Sequence, residues 1–335
     1  MKDIHFGVIG WGYWGPKIAR NLDTLPHAMV TMVADSDVHR LASLPLNQYQ
    51  SWIRKTTQVE DVFYSDVDGV VIATPVRTHY QLAKEALLHG KHVLVEKPLT
   101  TSVAEAEELI ALAEKQQCIL MVGHTFEYSP AVNELRKLVQ SGDLGNIYCI
   151  ETERVNLGLF RSDINVIWDL APHDISILLY LLGKKPEQIK VQAHAHLQRH
   201  IHDIAHLDLL YTDGMTAHIH VSWLHPCKIR RVTVIGDMRM AVYDDTNPAE
   251  MIKIYNKGAD VHADPVVSYR YGAITIPHID WVEPLRLECE DFANAIRTGG
   301  RPRAHGRVGL EVVRILAEAQ EALEKQKWQN VVEAI

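Results

Sequence analysis

Short apolar runs alternate with helix-length segments over the first 125 residues. Apolar residues at consecutive positions, as in Val70-Val71-Ile72-Ala73, are typical of strands buried on both faces of a parallel sheet. The pattern predicts strands at Ile4–Ile9, Ala28–Ala34, Gly69–Ala73, His92–Glu96 and Cys118–Val122, with a weaker one near Arg54–Thr57. Helical segments such as Thr78–His89 and Ser102–Gln116 separate the strands. This alternation favours right-handed βαβ units and therefore an α/β Rossmann domain with a doubly wound parallel sheet.

The pattern changes after a predicted helix at Pro130–Ser141, because extended runs then outnumber helices. The predicted strands are Ile147–Val155, Lys190–Leu197, His206–Tyr211, Thr216–Trp223, Arg231–Ile235 and Met240–Tyr243. The predicted helices are Trp168–Leu182, which Gly183 would end, Leu285–Thr298 and Val308–Lys325. The region Asn256–Pro277 carries few regular signals and is expected to be a long loop or arm.

Two domains follow from this change of pattern and from the length of 335 residues. We expect a Rossmann domain over residues 1–125. An α+β domain with a large, mostly antiparallel open sheet is expected over residues 126–335, and its last helices could pack back on the first domain.

Composition narrows the class of partner. The formal net charge of −8 argues against a nucleic-acid partner, since phosphate binding needs a basic face. No apolar run approaches the roughly 20 residues that span a bilayer, and the first residues lack the apolar stretch of a secretory signal. The four cysteines are widely spaced, which suits free thiols in a reducing compartment. We therefore expect a cytoplasmic protein with neither a nucleic-acid nor a membrane partner.

A glycine-rich turn directly follows the first predicted strand. Its sequence is Gly10-Trp11-Gly12-Tyr13-Trp14-Gly15. In a dinucleotide-binding loop the first glycine permits the tight turn, the second lets the backbone approach a pyrophosphate, and the third permits close helix–strand packing. The free N–H groups at the start of the following helix would then face the phosphates.

An acidic residue ends the second predicted strand. Asp35 lies where a carboxylate would accept hydrogen bonds from the adenosine ribose hydroxyls, although it could instead be a simple turn residue. A 2′-phosphate would face two carboxylates, those of Asp35 and Asp37, with Arg40 as the nearest cation. NAD is therefore favoured over NADP, unless an arginine is aimed at that phosphate.

Two further segments carry candidate chemistry. Lys97 follows the strand His92–Glu96 at its carboxyl end, where ligands bind in a doubly wound sheet. It could hydrogen-bond a substrate hydroxyl, or be an ordinary surface lysine. In Trp168–Asp174, Pro172 suits a first helical turn, which would make Asp169 the N-cap. His173 lies one turn beyond Asp169 and could be a general base or a partly buried histidine satisfied by a neighbour.

The chain resembles the Gfo/Idh/MocA family over essentially its whole length. The resemblance rests on the glycine loop, on Ala73-Thr74-Pro75-Val76-Arg77-Thr78-His79, on Gly90-Lys91-His92-Val93-Leu94-Val95-Glu96-Lys97-Pro98, and on Asp169-x-x-x-His173-Asp174. It implies a pyridine-dinucleotide domain followed by a substrate-binding domain whose open sheet commonly mediates homodimers or homotetramers. Members of the family commonly oxidise or reduce one secondary alcohol of a sugar, an inositol or a nucleotide-linked sugar.

The resemblance also implies roles for individual residues. Lys97 and His173 would serve acid–base roles, and Asp169 would orient the sugar or the histidine. His173 would take the hydroxyl proton while Lys97 stabilises the alkoxide, although the reverse assignment is open. The residues implied to border the cofactor, besides the glycine loop and Asp35, are Thr74, Pro75, His79, Glu96 and Lys97.

The substrate class rests on fewer residues. Our candidate substrate contacts, besides Asp169 and His173, are Tyr128, Arg154, Asn156 and Asn165. Arg154 could meet a phosphate or carboxylate, or be a surface cation. The segment from Arg154 to Asp174 is most similar to the branch with UDP-N-acetylglucosamine and related 3-dehydrogenases, and an inositol or free monosaccharide is the alternative substrate. A dinucleotide-sensing protein without turnover is the alternative of another class.

Histidine pairs recur in the second half. His194 and His196, and His218 and His220, alternate along predicted strands and could chelate a metal, but nothing fixes a third ligand. We expect no metal site and place these histidines on a sheet face or a subunit interface.

Overall fold

The computed structural model describes residues 3–44, 53–261 and 267–325. The chain forms two compact units. One contains the described residues up to 130 and residues 280–314, and the other contains residues 131–279 and the described residues from 315 onward. Residues 280–314 belong to the first unit, and they lie within the predicted range 126–335, whose last helices could pack back on the first domain.

Nine helices and fourteen strands occur in the part of the chain that the structure describes. The strands are β1 Ile4–Ile9, β2 Ala28–Ala34, β3 Arg54–Thr56, β4 Gly69–Ile72, β5 His92–Glu96, β6 Leu120–Gly123, β7 Ile147–Val155, β8 Gln188–His194, β9 Ile204–Leu210, β10 Thr216–Ser222, β11 Ile229–Gly236, β12 Met240–Asp244, β13 Ile252–Val261 and β14 Val267–Thr275. The helices are α1 Gly15–Asp23, α2 Val38–Ala42, α3 Glu60–Phe63, α4 His79–Leu88, α5 Val103–Lys115, α6 Pro130–Gln140, α7 Val166–Leu182, α8 Pro284–Thr298 and α9 Gly306–Glu324.

The first unit contains a six-stranded parallel sheet in the order β3-β2-β1-β4-β5-β6. This is the strand order of a Rossmann fold, and it confirms the predicted architecture. Each residue of β4, β6 and most of β5 is buried, as their uninterrupted apolar sequences predict. In this topology, ligand-binding residues belong at the carboxyl ends of the strands.

Helix α8 completes the core of the first unit. It packs against α1, and the ring of Phe292 lies 5.7 Å from that of Phe6 on β1, measured between centroids. Both phenylalanines and Cys289 are fully buried. The sheet therefore depends on a helix that follows β1 by more than 270 residues in the chain.

The second unit contains an eight-stranded sheet in the order β14-β13-β12-β11-β7-β10-β9-β8. Among the strand pairs that the structure describes in this sheet, β7–β10 is parallel and the others are antiparallel, which confirms the predicted mostly antiparallel sheet. Helix α7 covers one face, where Ile150, Thr152 and Arg154 of β7 are buried. Glu151, on the opposite face of β7, is exposed.

The predicted loop at 256–277 was wrong for the residues that the structure describes. They form most of the hairpin strands β13 and β14, while residues 262–266 lie outside the described part of the chain. The sequence of β14 begins with an apolar–polar alternation, Val267-Ser268-Tyr269-Arg270-Tyr271, although the strand is at the edge of the sheet and little of it is buried. This alternation is a strand signal that the prediction of a loop overlooked.

A buried ion pair joins α7 to the sheet. Arg154 donates through Nε and Nη2 to the two carboxylate oxygens of Asp174 at 2.8 and 3.1 Å. The two residues are only 5% and 1% exposed. This excludes the surface-cation interpretation of Arg154. Fork-to-fork geometry satisfies both charges where water cannot, and it fixes α7 over β7.

We expect the substitution Arg154→Met to lower the free energy of unfolding by about 3–5 kcal/mol, because it leaves the Asp174 carboxylate buried without its partner. Urea unfolding would measure the change. Arg231→Met is the matched control, since Arg231 is exposed and its 3.4 Å pair with Asp244 is worth at most about 1 kcal/mol. Equal losses in the two variants would contradict the role of the buried pair.

Candidate active site

The glycine loop after β1 has a different steric constraint at each glycine. Gly10 has a φ of +97°, and a Cβ there would lie 2.6 Å from the carbonyl oxygen of Ala73. A Cβ on Gly15 would lie 2.0 Å from the carbonyl oxygen of Gly10, so α1 packs tightly against the turn. At Gly12 the nearest heavy atom is 3.9 Å away, on Arg40. The loop thus leaves backbone accessible at its second glycine, which fits an approaching pyrophosphate.

Asp35 holds this loop in place. Its carboxylate accepts a hydrogen bond from the N–H of Trp11 at 2.6 Å and another from the N–H of Asp37 at 2.8 Å. The buried Asp35 side chain therefore connects the end of β2 to the glycine loop. Any hydrogen bond to a ribose would be additional to these two bonds. Arg40 lies 3.6 Å from Asp35 and 3.7 Å from Asp37, so the nearest cation is already balanced by two carboxylates.

A buried histidine joins the turns that follow β4 and β5. The Nε2 and Nδ1 atoms of His79 lie 2.9 and 2.8 Å from the carbonyl oxygens of Thr74 and Pro98. His79 is 1% exposed, so it positions these turns from within and does not line a crevice itself. Thr74 and Pro75 remain at the carboxyl end of the sheet, where a cofactor would lie.

Lys97 is half-buried beside several buried ionisable groups. Burial raises the pKa of Glu96 to about 7, while the Lys97 ammonium acts in the opposite direction. Burial and the charge of Lys97 together lower the pKa of His124 to about 3. Burial, with the neighbouring charge of Glu96, raises the pKa of Glu288 on α8 well above its ordinary value. Near neutral pH these surroundings favour a neutral His124, while Glu96 can exchange a proton.

Gly123 provides the space for the Glu96 side chain. The two residues are paired across β5 and β6, and a Cβ on Gly123 would lie 3.4 Å from the Glu96 carboxyl group. A larger residue there would press on this carboxyl group.

Tyr128 is part of the first unit's interior. Its hydroxyl donates to Asp291 at 2.7 Å and accepts from the N–H of Ala304 at 3.2 Å. With a relative exposure of 3%, it has the environment of a structural tyrosine and not that of an accessible substrate contact.

In the second unit, α7 begins earlier than predicted. Asn165 is the N-cap, and its side-chain oxygen accepts from the N–H groups of Ile167 and Trp168 at 3.1 and 3.2 Å. Asp169 is thus inside the helix, and the prediction that it is the N-cap was wrong. The amide of Asn165 also donates to Gln320, so this candidate substrate contact already has three bonds within the unit.

Pro172 also differs from the prediction, since it lies inside α7 and not in its first turn. It has no N–H to offer the carbonyl of Trp168 one turn earlier. Asp169 and His173 are four residues apart on this helix, so they share a face, and both are half-buried. The spacing that the sequence predicted for these two groups is therefore preserved, although the helix start is not.

Two neighbours of Asp169 were missed in the sequence. The indole N–H of Trp223 donates to the Asp169 carboxylate at 3.0 Å. The Arg161 guanidinium bonds Asp163 at 2.9 and 3.0 Å, and these hydrogen bonds, followed by the charges of Asp163 and Asp169, raise the pKa of Arg161. Local sequence offers no signal for the first contact, because Trp223 and Asp169 are far apart in the chain. Asn156, another candidate substrate contact, directly follows β7 and is half-buried.

The histidines occupy the open face of the second sheet. His206 and His220 stack with ring centroids 4.2 Å apart, and His218 bonds Asp208 at 2.6 Å. They border a polar concavity of about 280 Å³. His194 ends β8, whereas His196 lies beyond the strand and bonds Asp203, so these two do not share a strand face. Among the described residues, no group of three or more potential ligands could hold a metal ion.

The described part of the chain also lacks any helix with the length and apolar character needed to cross a membrane. Its four cysteines are free thiols, as their spacing predicts.

Comparison with known proteins identifies the family. Residues 4–124 match the oxidoreductase family model with an NAD-binding Rossmann fold, and residues 132–242 match the model of the Gfo/Idh/MocA C-terminal domain. The chain belongs to the Gfo/Idh/MocA oxidoreductase family. The predicted family is thereby confirmed over both units.

Individual relatives of this Gfo/Idh/MocA protein differ in substrate. It is 30% identical to UDP-N-acetylglucosamine 3-dehydrogenase from Acidithiobacillus ferrooxidans, covering 97% of this chain and 98% of the relative. A solved structure of that enzyme has a TM-score of 0.80 at 29% identity and covers 97% and 99% of the two chains. Inositol 2-dehydrogenase from Corynebacterium glutamicum is 28% identical over 57% of this chain and 58% of its own length.

The raised pKa of Glu96 predicts how stability changes with pH. Between its ordinary value of 4.5 and about 7, this carboxyl ionises in the unfolded chain but stays protonated in the folded one, so stability falls as pH rises. Glu96→Gln cannot ionise at this position, so this loss is absent from the variant. Between about pH 4 and about pH 8, its free energy of unfolding should therefore rise relative to that of wild type by on the order of 3 kcal/mol. Urea unfolding across this range measures the difference. Glu290→Gln, an exposed control on α8, should follow wild type, and a Glu96→Gln curve parallel to wild type would contradict the assignment.

Proposed function

We propose that this protein is an NAD-dependent sugar dehydrogenase, which transfers a hydride between nicotinamide and a secondary alcohol, at C3 of a UDP-linked N-acetylamino sugar. The observation that carries the proposal is the retention of Lys97 and of the Asp169–His173 face on an ordered helix. The full-length similarity to a UDP-N-acetylglucosamine 3-dehydrogenase supports the nucleotide-sugar substrate. The proposal includes a homodimer or homotetramer in the cytoplasm.

The bound nicotinamide would accept or donate the hydride, and the protein supplies proton transfer and charge. In the oxidative direction, His173 takes the hydroxyl proton, directly or through a water molecule. Lys97 donates a hydrogen bond to the same oxygen and stabilises the developing alkoxide. Asp169, one helical turn from His173, orients the sugar or the imidazole. The opposite assignment, with Lys97 as the base, uses the same groups.

For the cofactor, the glycine loop and Asp35 support NAD. A 2′-phosphate would meet a buried carboxylate, and Arg40 is already shared between Asp35 and Asp37. Thr74, Pro75 and Glu96 would lie along the cofactor, with Tyr13 and Trp14 at the loop.

A second candidate function is oxidation of inositol or a free monosaccharide, which the similarity to inositol 2-dehydrogenase supports over part of the chain. A dinucleotide sensor without turnover would require neither Lys97 nor His173, and the presence of both favours an enzyme.

The substrate is tested by following reduced-nicotinamide absorbance with NAD and a panel of UDP-amino sugars, free polyols and monosaccharides, with and without 2-oxoglutarate. We expect turnover of a UDP-amino sugar and a fall of about 10²- to 10⁴-fold in kcat for Lys97→Ala and His173→Ala. Lys115→Ala and His218→Ala, which alter exposed side chains, are the controls. Turnover only of polyols would select the inositol-like function, and tight NAD binding without any turnover would select the sensor.

Cofactor preference is a separate prediction. We expect kcat/KM for NAD to exceed that for NADP at least about tenfold, and Asp35→Asn to reduce this ratio about tenfold, because it removes the charge that repels a 2′-phosphate. The amide oxygen can still accept the Trp11 N–H. Asp37→Asn removes an exposed carboxylate from the same segment and should change the ratio less. A wild-type preference for NADP would refute this part of the proposal.

A further inference from the structure

Asp169 is held by a residue outside its own helix. The indole Nε1–H of Trp223 donates to Oδ2 of Asp169 at 3.0 Å. Trp223 directly follows β10 and is 1% exposed, so water cannot compete for this N–H. An indole N–H can only donate, and a buried one needs an acceptor. The carboxylate of Asp169 is that acceptor.

The position of the indole is itself fixed by two neighbouring segments, one at Asp203 and the other at residues 158–160. The backbone N–H of Trp223 donates to the carbonyl of Asp203 at 2.9 Å, and the carbonyl of Trp223 accepts from the N–H of Gly158 at 2.9 Å. The ring of Phe160 packs edge-on against the indole with centroids 5.9 Å apart. Because both the backbone and the ring of Trp223 are anchored, its N–H presents a fixed direction to Asp169.

Asp169 is also influenced by a nearby charge, which acts on it in a different way from the Trp223 hydrogen bond. Arg161 forms its direct bonds with Asp163 and reaches Asp169 through its charge. His173, one turn further along α7, is another ionisable group of this region. A charge attracts a carboxylate without setting the rotation of its plane, whereas a hydrogen bond to one oxygen does set that rotation.

We propose that Trp223 is a positioning residue for Asp169 in the sugar oxidation proposed above, on which this inference rests. By holding Oδ2, it fixes the plane in which Asp169 accepts a hydrogen bond from a substrate hydroxyl or from His173. The carboxylate then enters the transition state already oriented, without losing torsional freedom at that step.

The variant Trp223→Phe keeps an aromatic ring and removes only the N–H and the smaller part of the ring system. We expect kcat to fall about 10- to 100-fold, the loss typical of a hydrogen bond to a charged group, with KM changed less than about threefold. Trp281→Phe is the matched control, since Trp281 is exposed and should leave both constants unchanged.

A double-mutant cycle with Asp169→Ala, which removes the acceptor, separates positioning from general damage. If Trp223 acts through Asp169, Trp223→Phe should change kcat less than about twofold in the Asp169→Ala background. An equal fall in both backgrounds would overturn the proposal, because the effect would then not pass through the carboxylate.

A readout without turnover keeps the test independent of the substrate. In protein labelled with ¹⁵N-tryptophan, the Trp223 indole signal is the one missing from Trp223→Phe, and we expect it to move in Asp169→Ala but not in Asp163→Ala. An unmoved Trp223 signal in Asp169→Ala would refute the bond, whatever the effect of Trp223→Phe on kcat. If the signal moves but no sugar is oxidised, the proposed function fails while the Trp223–Asp169 contact stands.

Discussion

The bond between Arg154 and Asp174 imposes a geometric requirement on the whole second unit. Two buried charges are tolerable only when they meet in good geometry, so α7 has one acceptable register over β7. Asp174 follows His173 directly, which means that the register that satisfies the ion pair also sets where His173 and Asp169 lie. The cap at Asn165 and the Trp223 indole then hold the same helix at its start and along its first turns.

The first unit uses buried polar groups in a comparable way. Asp35 ties the glycine loop to β2, and His79 ties the turn after β4 to the turn after β5. In each case a polar side chain at the carboxyl end of the sheet bonds backbone groups, so these turns are held by bonds within the unit itself. Rigid turns present their N–H groups without an ordering cost at the moment of binding.

Sequence patterns predicted the parts of the fold in which local order determines burial. The consecutive apolar residues of β4 and β5 and the steric roles of Gly10 and Gly15 are local properties, and they were predicted correctly. Strand β14 was missed although its first five residues alternate between apolar and polar side chains, and its later residues, Gly272 to Thr275, carry no such alternation. Arg154 was uncertain because a charged residue in a strand gives no sign of a buried partner twenty residues later.

The errors around α7 have a different cause. Pro172 suggested a first turn, and the chain instead accommodates it inside a helix that starts at Val166. The contact between Trp223 and Asp169 spans 54 positions and arises only when β10 and α7 are packed together. Candidate chemistry could thus be found from residue type and spacing, whereas the side chains that orient it required the tertiary structure.

The placement of α8 has a consequence for synthesis on the ribosome. Phe6 is synthesised long before Phe292, whose ring packs against it from α8. The nascent sheet therefore has an apolar face uncovered while residues 131–279 of the second unit are made. During that interval its protection must come from elsewhere, such as a chaperone or transient contacts of the nascent chain, since the native cover does not yet exist.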